Sequence, residues 1–214
     1  MNPNIILILC DDLGFGDISA LNSNSKILTP NIDSIASKGI SVTDAHTTSS
    51  VCTPSRYSLL TGRYNFRSSL KSGVNWGYTP PLIEKGRLTL SQMLKNCGYT
   101  TGMVGKWHLG LDWKTDEGSY LSEGGQVNEK SIDCGIDFSS PIKGGPIHYG
   151  FDYFFGISAS LDMAPYVYIE NDRAVEIPTE RHFQEYSPNI DGTTLRQGDS
   201  LAGQGRTGPV QPNM

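Results

Sequence analysis

An unbroken apolar run near the start of the chain constrains its fold most strongly. Residues 5–10 read Ile-Ile-Leu-Ile-Leu-Cys. The run is too short for a buried helix, whereas strands covered on both faces of a parallel sheet show this continuous β-branched and apolar pattern. The sequence therefore predicts a strand over residues 5–10.

Further helices and strands follow in alternation. A helix is predicted between Thr29 and Gly39, because threonine followed by proline favours a helix start and glycine favours its end. A second helix is predicted between Thr89 and Gly98. The apolar residues of both helices, and the thiols of Cys10 and Cys97, are expected to be buried. Strands are predicted at 40–45, 100–105, 150–157 and 165–170. These elements make the chain an α/β protein, with a polar, Gly-rich surface excursion over 112–150.

Two adjacent carboxylates, Asp11 and Asp12, directly follow the predicted strand at 5–10. Carboxylates at the end of a buried strand are costly unless they bind a cation or face solvent. Ligands of open α/β sheets gather at the carboxyl ends of the strands. One interpretation is a solvated acidic turn. The other is a site for a hard cation, and oxygen ligands favour Ca²⁺.

The string Cys52-Thr53-Pro54-Ser55-Arg56 opens a third predicted helix, which ends near Gly62. Cys52 is expected at the positive end of the helix dipole, where anions are stabilised. Arg56 lies four residues on, on the same helix face. A buried structural thiol is the alternative interpretation of Cys52. A phosphotyrosine-phosphatase loop is excluded, because it needs five residues between the cysteine and the arginine.

Lys106 and His108 follow the predicted strand at 100–105. Residues two apart in an extended segment point to the same side. The sequence therefore predicts that both side chains face one pocket. Trp76 and Tyr78 are candidates either for stacking on a ring of a substrate or for core packing.

These segments together resemble the sulfatase family. Residues 52–56 match its Cys-x-Pro-x-Arg motif at every position, and the match continues through Leu-Leu-Thr-Gly at 59–62. Gly-Lys-Trp-His-Leu-Gly at 105–110 resembles a second family motif, and 150–156 resembles a third. The resemblance implies an alkaline-phosphatase-like α/β fold, with a mixed, mostly parallel sheet and helices on both faces, incomplete in this chain.

The resemblance also implies a cofactor and a modified residue. A formylglycine-generating maturation enzyme would oxidise Cys52 to Cα-formylglycine, also called 3-oxoalanine. Asp11 and Asp12, together with the modified Cys52, would bind Ca²⁺.

The other site residues follow from the same resemblance. Arg56 would steady a deprotonated hydroxyl of the hydrated aldehyde, and Lys106 would neutralise charge on the sulfate. His108 would hydrogen-bond the diol and assist its elimination. Ser160 matches a substrate-contacting serine of some sulfatases.

The implied reaction is hydrolysis of an organic sulfate, from an aryl compound or a carbohydrate. One hydroxyl of the formylglycine gem-diol attacks sulfur, and deprotonation of the other expels sulfate. A phosphonate or phosphate monoester hydrolase of the same superfamily is the alternative. A metal-binding domain without catalytic activity is a second alternative, from another functional class.

Charge and hydropathy bound the expected partners. A net charge of −5 argues against a general nucleic-acid surface, and no apolar run is long enough to span a membrane. The start of the chain lacks a secretory signal, whereas sulfatases are commonly periplasmic, extracellular or lysosomal, so the compartment stays open. The whole chain, 1–214, is expected to be the N-terminal part of a sulfatase catalytic domain, with 187–214 a loop or tail.

Overall fold

The computed structural model describes residues 2–127, 134–182 and 208–211. The chain divides into two compact units, Met1–Thr47 and Thr48–Met214. Each unit is described by itself.

Residues 2–47 of the first unit contain one α-helix, α1 (Pro30–Lys38), and a short 3₁₀ turn at Phe15–Asp17. Pro30 occupies the first helical position and Gly39 follows the last, so the predicted helix is confirmed. Side-chain hydrogen bonds fix the helix start: the hydroxyls of Ser19 and Thr29 donate to the Asp33 carboxylate at 2.6 and 2.8 Å. These two bonds hold the pKa of Asp33 below its ordinary value.

Two predicted strands of this unit are wrong. Neither 5–10 nor 40–45 forms a strand, since no described residue pairs with either segment. A β-strand exists only where a neighbour satisfies its backbone N–H and C=O groups. Their apolar side chains are exposed, with Ile6 at 85% and Ile40 at 92%. Ile35 of α1 and the Cys10 thiol are exposed as well, contrary to prediction.

A four-stranded mixed sheet organises the second unit, in the order β1-β2-β3-β4. β1 and β2 are parallel, and the other two pairs are antiparallel. The strands are β1 (Gly102–Lys106), β2 (Tyr153–Ile157), β3 (Tyr168–Glu170) and β4 (Arg173–Ala174). The strands predicted at 100–105, 150–157 and 165–170 are therefore present, shifted by a few residues.

A second, two-stranded sheet pairs β5 (Glu180–His182) with β6 (Gly208–Val210) in antiparallel register. β6 falls in the interval 187–214, which was expected to be a loop or tail. Most of that interval lies outside the described residues.

The described part of the second unit contains two α-helices, α2 (Cys52–Thr61) and α3 (Leu90–Asn96). Gly62 ends α2 with a left-handed φ of 63°, as predicted from the sequence. The Thr89 hydroxyl caps α3 by accepting from the Gln92 N–H at 3.2 Å. Met93 of α3 and Cys97, which follows the helix, are exposed, whereas Leu90 and Leu94 are half-buried, so the prediction that this whole face is buried is wrong. Short 3₁₀ turns lie at Asn65–Arg67, Leu121–Glu123 and Pro146–Tyr149.

The core of the second unit lies beside the sheet and is built largely by the segment that joins β1 to β2. The described part of 112–150 is therefore no surface excursion, because Trp113, Ile136, Phe138 and Ile142 are buried. Isolated bridges such as Asp112↔Lys143 fold the segment back on itself. Its apolar residues come from turns, which have no sequence period, so periodicity missed them. No helix in the described residues is long and apolar enough to cross a membrane.

Candidate active site

Cys52 and Lys106 meet in the second unit, although they are far apart in sequence. Cys52 is the first residue of α2, and Lys106 is the last residue of β1. The Lys106 ammonium donates a hydrogen bond to the Cys52 thiol, with 3.0 Å between Nζ and Sγ. Both residues are half-buried. The Lys106 ammonium and the N-terminus of α2 therefore both lie next to the Cys52 sulfur atom.

Arg56 joins this site from the next turn of α2. Its guanidinium donates to the backbone carbonyl of Lys106. The bond fixes the end of β1 against the face of α2 that carries Cys52 and Arg56, as their four-residue spacing predicted. The structure thus brings Cys52, Arg56 and Lys106 together.

His108 is the fourth predicted member of the cluster, and it is almost fully buried, at 1% exposure. Its backbone is left-handed, with a φ of 58°, which is uncommon for a residue with a side chain. The ring Nε2 lies 2.8 Å from the Asn75 carbonyl oxygen. A carbonyl oxygen only accepts, so Nε2 carries the proton and Nδ1 of the neutral ring carries the lone pair. No described residue hydrogen-bonds Nδ1.

Burial lowers the pKa of His108 to about 4. The positive charges of Lys106 and Arg56 act in the same direction, whereas the hydrogen bond to Asn75 and the charge of Asp162 act against it. The imidazole is therefore neutral at physiological pH. A neutral ring with Nε2 protonated accepts a proton at Nδ1 and does not donate one there.

This pKa predicts how stability depends on pH. An unfolded histidine binds its proton below pH 6.5, whereas the folded state takes it up only near pH 4. The unfolded state therefore binds more protons in this window, and the free energy of unfolding falls as the pH falls from 6.5 to 4. Over this window the free energy of unfolding falls by about 3 kcal/mol in total. Urea titrations across the window measure it, and His108→Gln should remove this part of the slope. An unchanged slope in His108→Gln would contradict the assignment.

An ion pair at the other end of α2 supports the site. The Tyr57 hydroxyl donates to the Glu84 carboxylate at 2.9 Å, and Arg63 pairs with the same carboxylate at 2.6 Å. Tyr57 is completely buried. The helix that carries Cys52 and Arg56 is thus also held from Tyr57 in its interior and from Arg63 just past its end.

Asp11 and Asp12 belong to the first unit, and both are exposed. Adjacent carboxylates are the hard oxygen donors that Ca²⁺ prefers, so this donor set fits the ion. Ca²⁺ takes six to eight oxygen ligands, however. Among the described residues, no group of three or more His, Cys, Asp or Glu side chains could hold a metal by itself. The pair therefore fits Ca²⁺ as part of a ligand set.

Ser160 lies in the turn that follows β2 and is half-buried. Its backbone carbonyl accepts from the Met163 N–H at 3.0 Å, and its role in substrate binding stays a prediction.

The two aromatic residues that were candidates for stacking or packing differ in burial. Tyr78 is buried in the core, whereas Trp76 is 52% exposed.

Sequence reasoning missed two residues that contact His108, namely Thr53 and Asn75. The Thr53 hydroxyl donates to the His108 carbonyl oxygen at 2.9 Å, and Asn75 accepts from the ring. The only signal in the sequence for either residue is that Thr53 lies inside the Cys-x-Pro-x-Arg motif. Nothing in the sequence indicates that residues 53, 75 and 108 meet.

The chain matches a known protein family and superposes on a solved structure. The family model described as Sulfatase matches residues 3–197. A solved structure from work on glycosaminoglycan metabolism by Bacteroides thetaiotaomicron superposes with a TM-score of 0.63 at 35% identity, over 83% of this chain and 33% of that one. The predicted α/β fold of the alkaline-phosphatase-like sulfatases, with its mixed sheet, is thereby confirmed.

Several curated sulfatases are similar in sequence. An N-acetylgalactosamine-6-O-sulfatase of Bacteroides thetaiotaomicron is 40% identical over 173 residues, which are 81% of this chain and 30% of that protein. Human steryl-sulfatase is 38% identical over 73% of this chain and 24% of its own length. Human arylsulfatase A is 37% identical over 76% of this chain and 27% of its own length. The chain thus spans less than a third of the length of these relatives. It belongs to the sulfatase family.

Proposed function

We propose that the protein is a sulfuric ester hydrolase, which releases inorganic sulfate from a carbohydrate or aryl sulfate. The observation that carries the proposal is the 3.0 Å contact between Lys106 Nζ and Cys52 Sγ, in a chain whose relatives are sulfatases. The contact sets a cation against the residue that the family motif marks as the nucleophile. The curated relatives named above are all sulfatases, which favours sulfate over a phosphate or phosphonate ester.

Cys52 is, in this proposal, the residue that a maturation enzyme converts to Cα-formylglycine. The hydrated aldehyde would supply a nucleophilic hydroxyl and a second hydroxyl whose deprotonation releases sulfate. The position of Cys52 suits such a group, because it is half-buried at a helix N-terminus beside a lysine. Negative charge that develops there is stabilised by the helix dipole and by the cation.

Lys106 and Arg56 would bind and orient the sulfate. Two fixed cations beside Cys52 stabilise an anionic group without the cost of reorganising solvent. Arg56 already holds the end of β1 through the Lys106 carbonyl, so it also keeps Lys106 in place.

His108 would serve as the proton acceptor. Its pKa of about 4 keeps the ring neutral, and the bond from Nε2 to Asn75 leaves Nδ1 as the basic atom. A buried neutral imidazole can take a proton from a hydroxyl of the nucleophile and return it to the leaving group.

Asp11 and Asp12 would hold Ca²⁺, which supplies positive charge for a sulfate oxygen when bound.

We expect added Ca²⁺ to raise the melting temperature of the chain relative to EDTA, because a ligand that binds only the folded state stabilises it. The doubly substituted variant Asp11→Asn, Asp12→Asn should lose most of this shift. Asp44→Asn removes another exposed carboxylate of the same unit and should keep it. A shift that survives in the double variant would contradict the site.

The substrate class proposed is a sulfated carbohydrate. The relative from Bacteroides thetaiotaomicron is named as an N-acetylgalactosamine-6-O-sulfatase, and the solved neighbour comes from work on glycosaminoglycans. Trp76 follows Asn75 directly in the chain and is 52% exposed, so its indole is available to stack on a sugar ring.

Two measurements test the proposed function. Mass analysis of the tryptic peptide 39–56, from protein co-expressed with a formylglycine-generating enzyme, shows whether Cys52 is converted. Release of sulfate from 6-O-sulfated N-acetylgalactosamine, compared with turnover of an aryl phosphonate, shows which ester is cleaved. We expect conversion of Cys52 and a preference for the sulfate ester. Preferred phosphonate turnover would overturn the proposal.

A further inference from the structure

A closed ring of buried hydrogen bonds joins Thr53, Asn75 and His108. The Thr53 hydroxyl donates to the His108 carbonyl oxygen at 2.9 Å and accepts from the Asn75 N–H at 3.1 Å. The Asn75 carbonyl oxygen in turn accepts from His108 Nε2 at 2.8 Å. These three residues are 0%, 3% and 1% exposed. Each bond therefore lies in an environment where losing one partner leaves a buried polar group unsatisfied.

We propose that Thr53 is a positioning residue for His108, which fixes the left-handed backbone of the histidine and its Nε2-protonated tautomer. The inference deepens the proposed function, and it rests on that function only for the statement that His108 takes part in catalysis.

The two roles of the Thr53 hydroxyl act on different parts of His108. The donated bond holds the carbonyl of a residue whose φ of 58° is intrinsically unfavourable. The accepted bond holds the Asn75 backbone, whose carbonyl selects the tautomer of the ring. A second bond supports the His108 backbone from the sheet side, since its N–H donates to the Ser158 carbonyl at 2.9 Å. The hydroxyl of Thr53 is thus the part of this arrangement that a single side-chain substitution removes.

The tautomer matters because the two ring nitrogens have opposite roles. With Nε2 protonated, Nδ1 is the acceptor, and no described residue donates a hydrogen bond to it. If the Asn75 carbonyl moves away, the two neutral tautomers become similar in energy and Nδ1 is protonated in part of the molecules. A proton acceptor at Nδ1 would then be lost in that fraction.

The test uses the full chain labelled with ¹⁵N-histidine, and it measures the protonation of both ring nitrogens at neutral pH. The chain has four histidines, so His108→Gln assigns the relevant signals. We expect the wild type to show Nε2 protonated and Nδ1 unprotonated. Thr53→Val should shift His108 toward a mixture of tautomers, and Thr53→Ser, which keeps the hydroxyl, should restore the wild-type spectrum.

A matched control lies at the other end of the same helix. The Thr61 hydroxyl also donates to a carbonyl, that of Tyr57 at 2.7 Å, and accepts from a backbone N–H, that of Arg63 at 3.3 Å. Thr61→Val should leave the His108 signals unchanged. Thr53→Ala provides a second variant without the hydroxyl, in case valine at this buried position prevents folding.

Kinetics give an independent readout. In the matured enzyme, Thr53→Val should lower kcat by roughly tenfold or more with little change in KM, as part of the roughly 10²–10⁴-fold that a positioned acid–base group contributes. Thr53→Ser should recover most of the rate. A folded Thr53→Val or Thr53→Ala protein with a single Nε2-protonated tautomer would overturn this proposal. Absence of sulfate release by the wild type would instead overturn the proposed function, and the tautomer measurement would still decide the role of Thr53.

Discussion

Replacing Cys52 with alanine is expected to abolish sulfate release while the protein remains folded. In the proposed reaction, the substitution removes the thiol on which maturation acts, so the formylglycine nucleophile cannot form. Loss of the covalent nucleophile lowers kcat by on the order of 10⁶-fold in a serine protease, and we expect a comparably severe loss here. The fold should tolerate alanine, because Cys52 is half-buried and alanine favours a helix. Initial rates with a sulfate ester, together with thermal unfolding of both proteins, measure the two effects.

Cys97→Ala is the matched control for this experiment. Cys97 is an exposed cysteine of the same unit, and it directly follows α3. The control should keep full activity and full stability. Wild-type activity in Cys52→Ala would show that the nucleophile lies elsewhere. A large loss of stability would show that the contact with Lys106 is structural.

The position of each cluster residue on its own helix or strand was predictable because it depends on local rules, whereas the contact between Lys106 and Cys52 was implied only by the family resemblance. The start of α2 at Cys52 follows from its proline and glycine, and the spacing of Cys52 and Arg56 follows from helix geometry. Placing Lys106 at the end of β1 follows from the glycine and apolar pattern before it. Such arguments need only a few neighbouring residues, so they hold without knowledge of the rest of the fold.

The predictions of which side chains are buried were less accurate than these local predictions. Residues 5–10 and the apolar face of α3 have the composition of covered elements, yet Ile6 and Met93 are exposed. Burial depends on which other segments pack over a face, and composition does not specify those segments. The same limit applies to the ring of Thr53, Asn75 and His108, because tertiary contacts alone create it.

The parallel pairing of β1 and β2 has one position where a side chain cannot be tolerated. Gly105 and Gly156 lie opposite each other in the register. A Cβ on Gly156 would overlap the Gly105 carbonyl oxygen and lie only 2.7 Å from its carbonyl carbon. Both are backbone atoms, so they cannot turn away as a side chain would. Gly105 itself has a φ of 110°, which other residues rarely adopt.

Gly156→Ala is therefore expected to lower the free energy of unfolding by about 3 kcal/mol or more, as severe overpacking does. It should also impair activity, because Gly105 directly precedes Lys106 and any shift of β1 moves the lysine away from Cys52. Gly102→Ala, in the same strand pair, is the control, since a Cβ there meets nothing within 4 Å. That change should alter stability by less than about 1 kcal/mol. Equal stabilities of the two variants would contradict this prediction, because they would show that β1 and β2 admit a Cβ at position 156 at little cost.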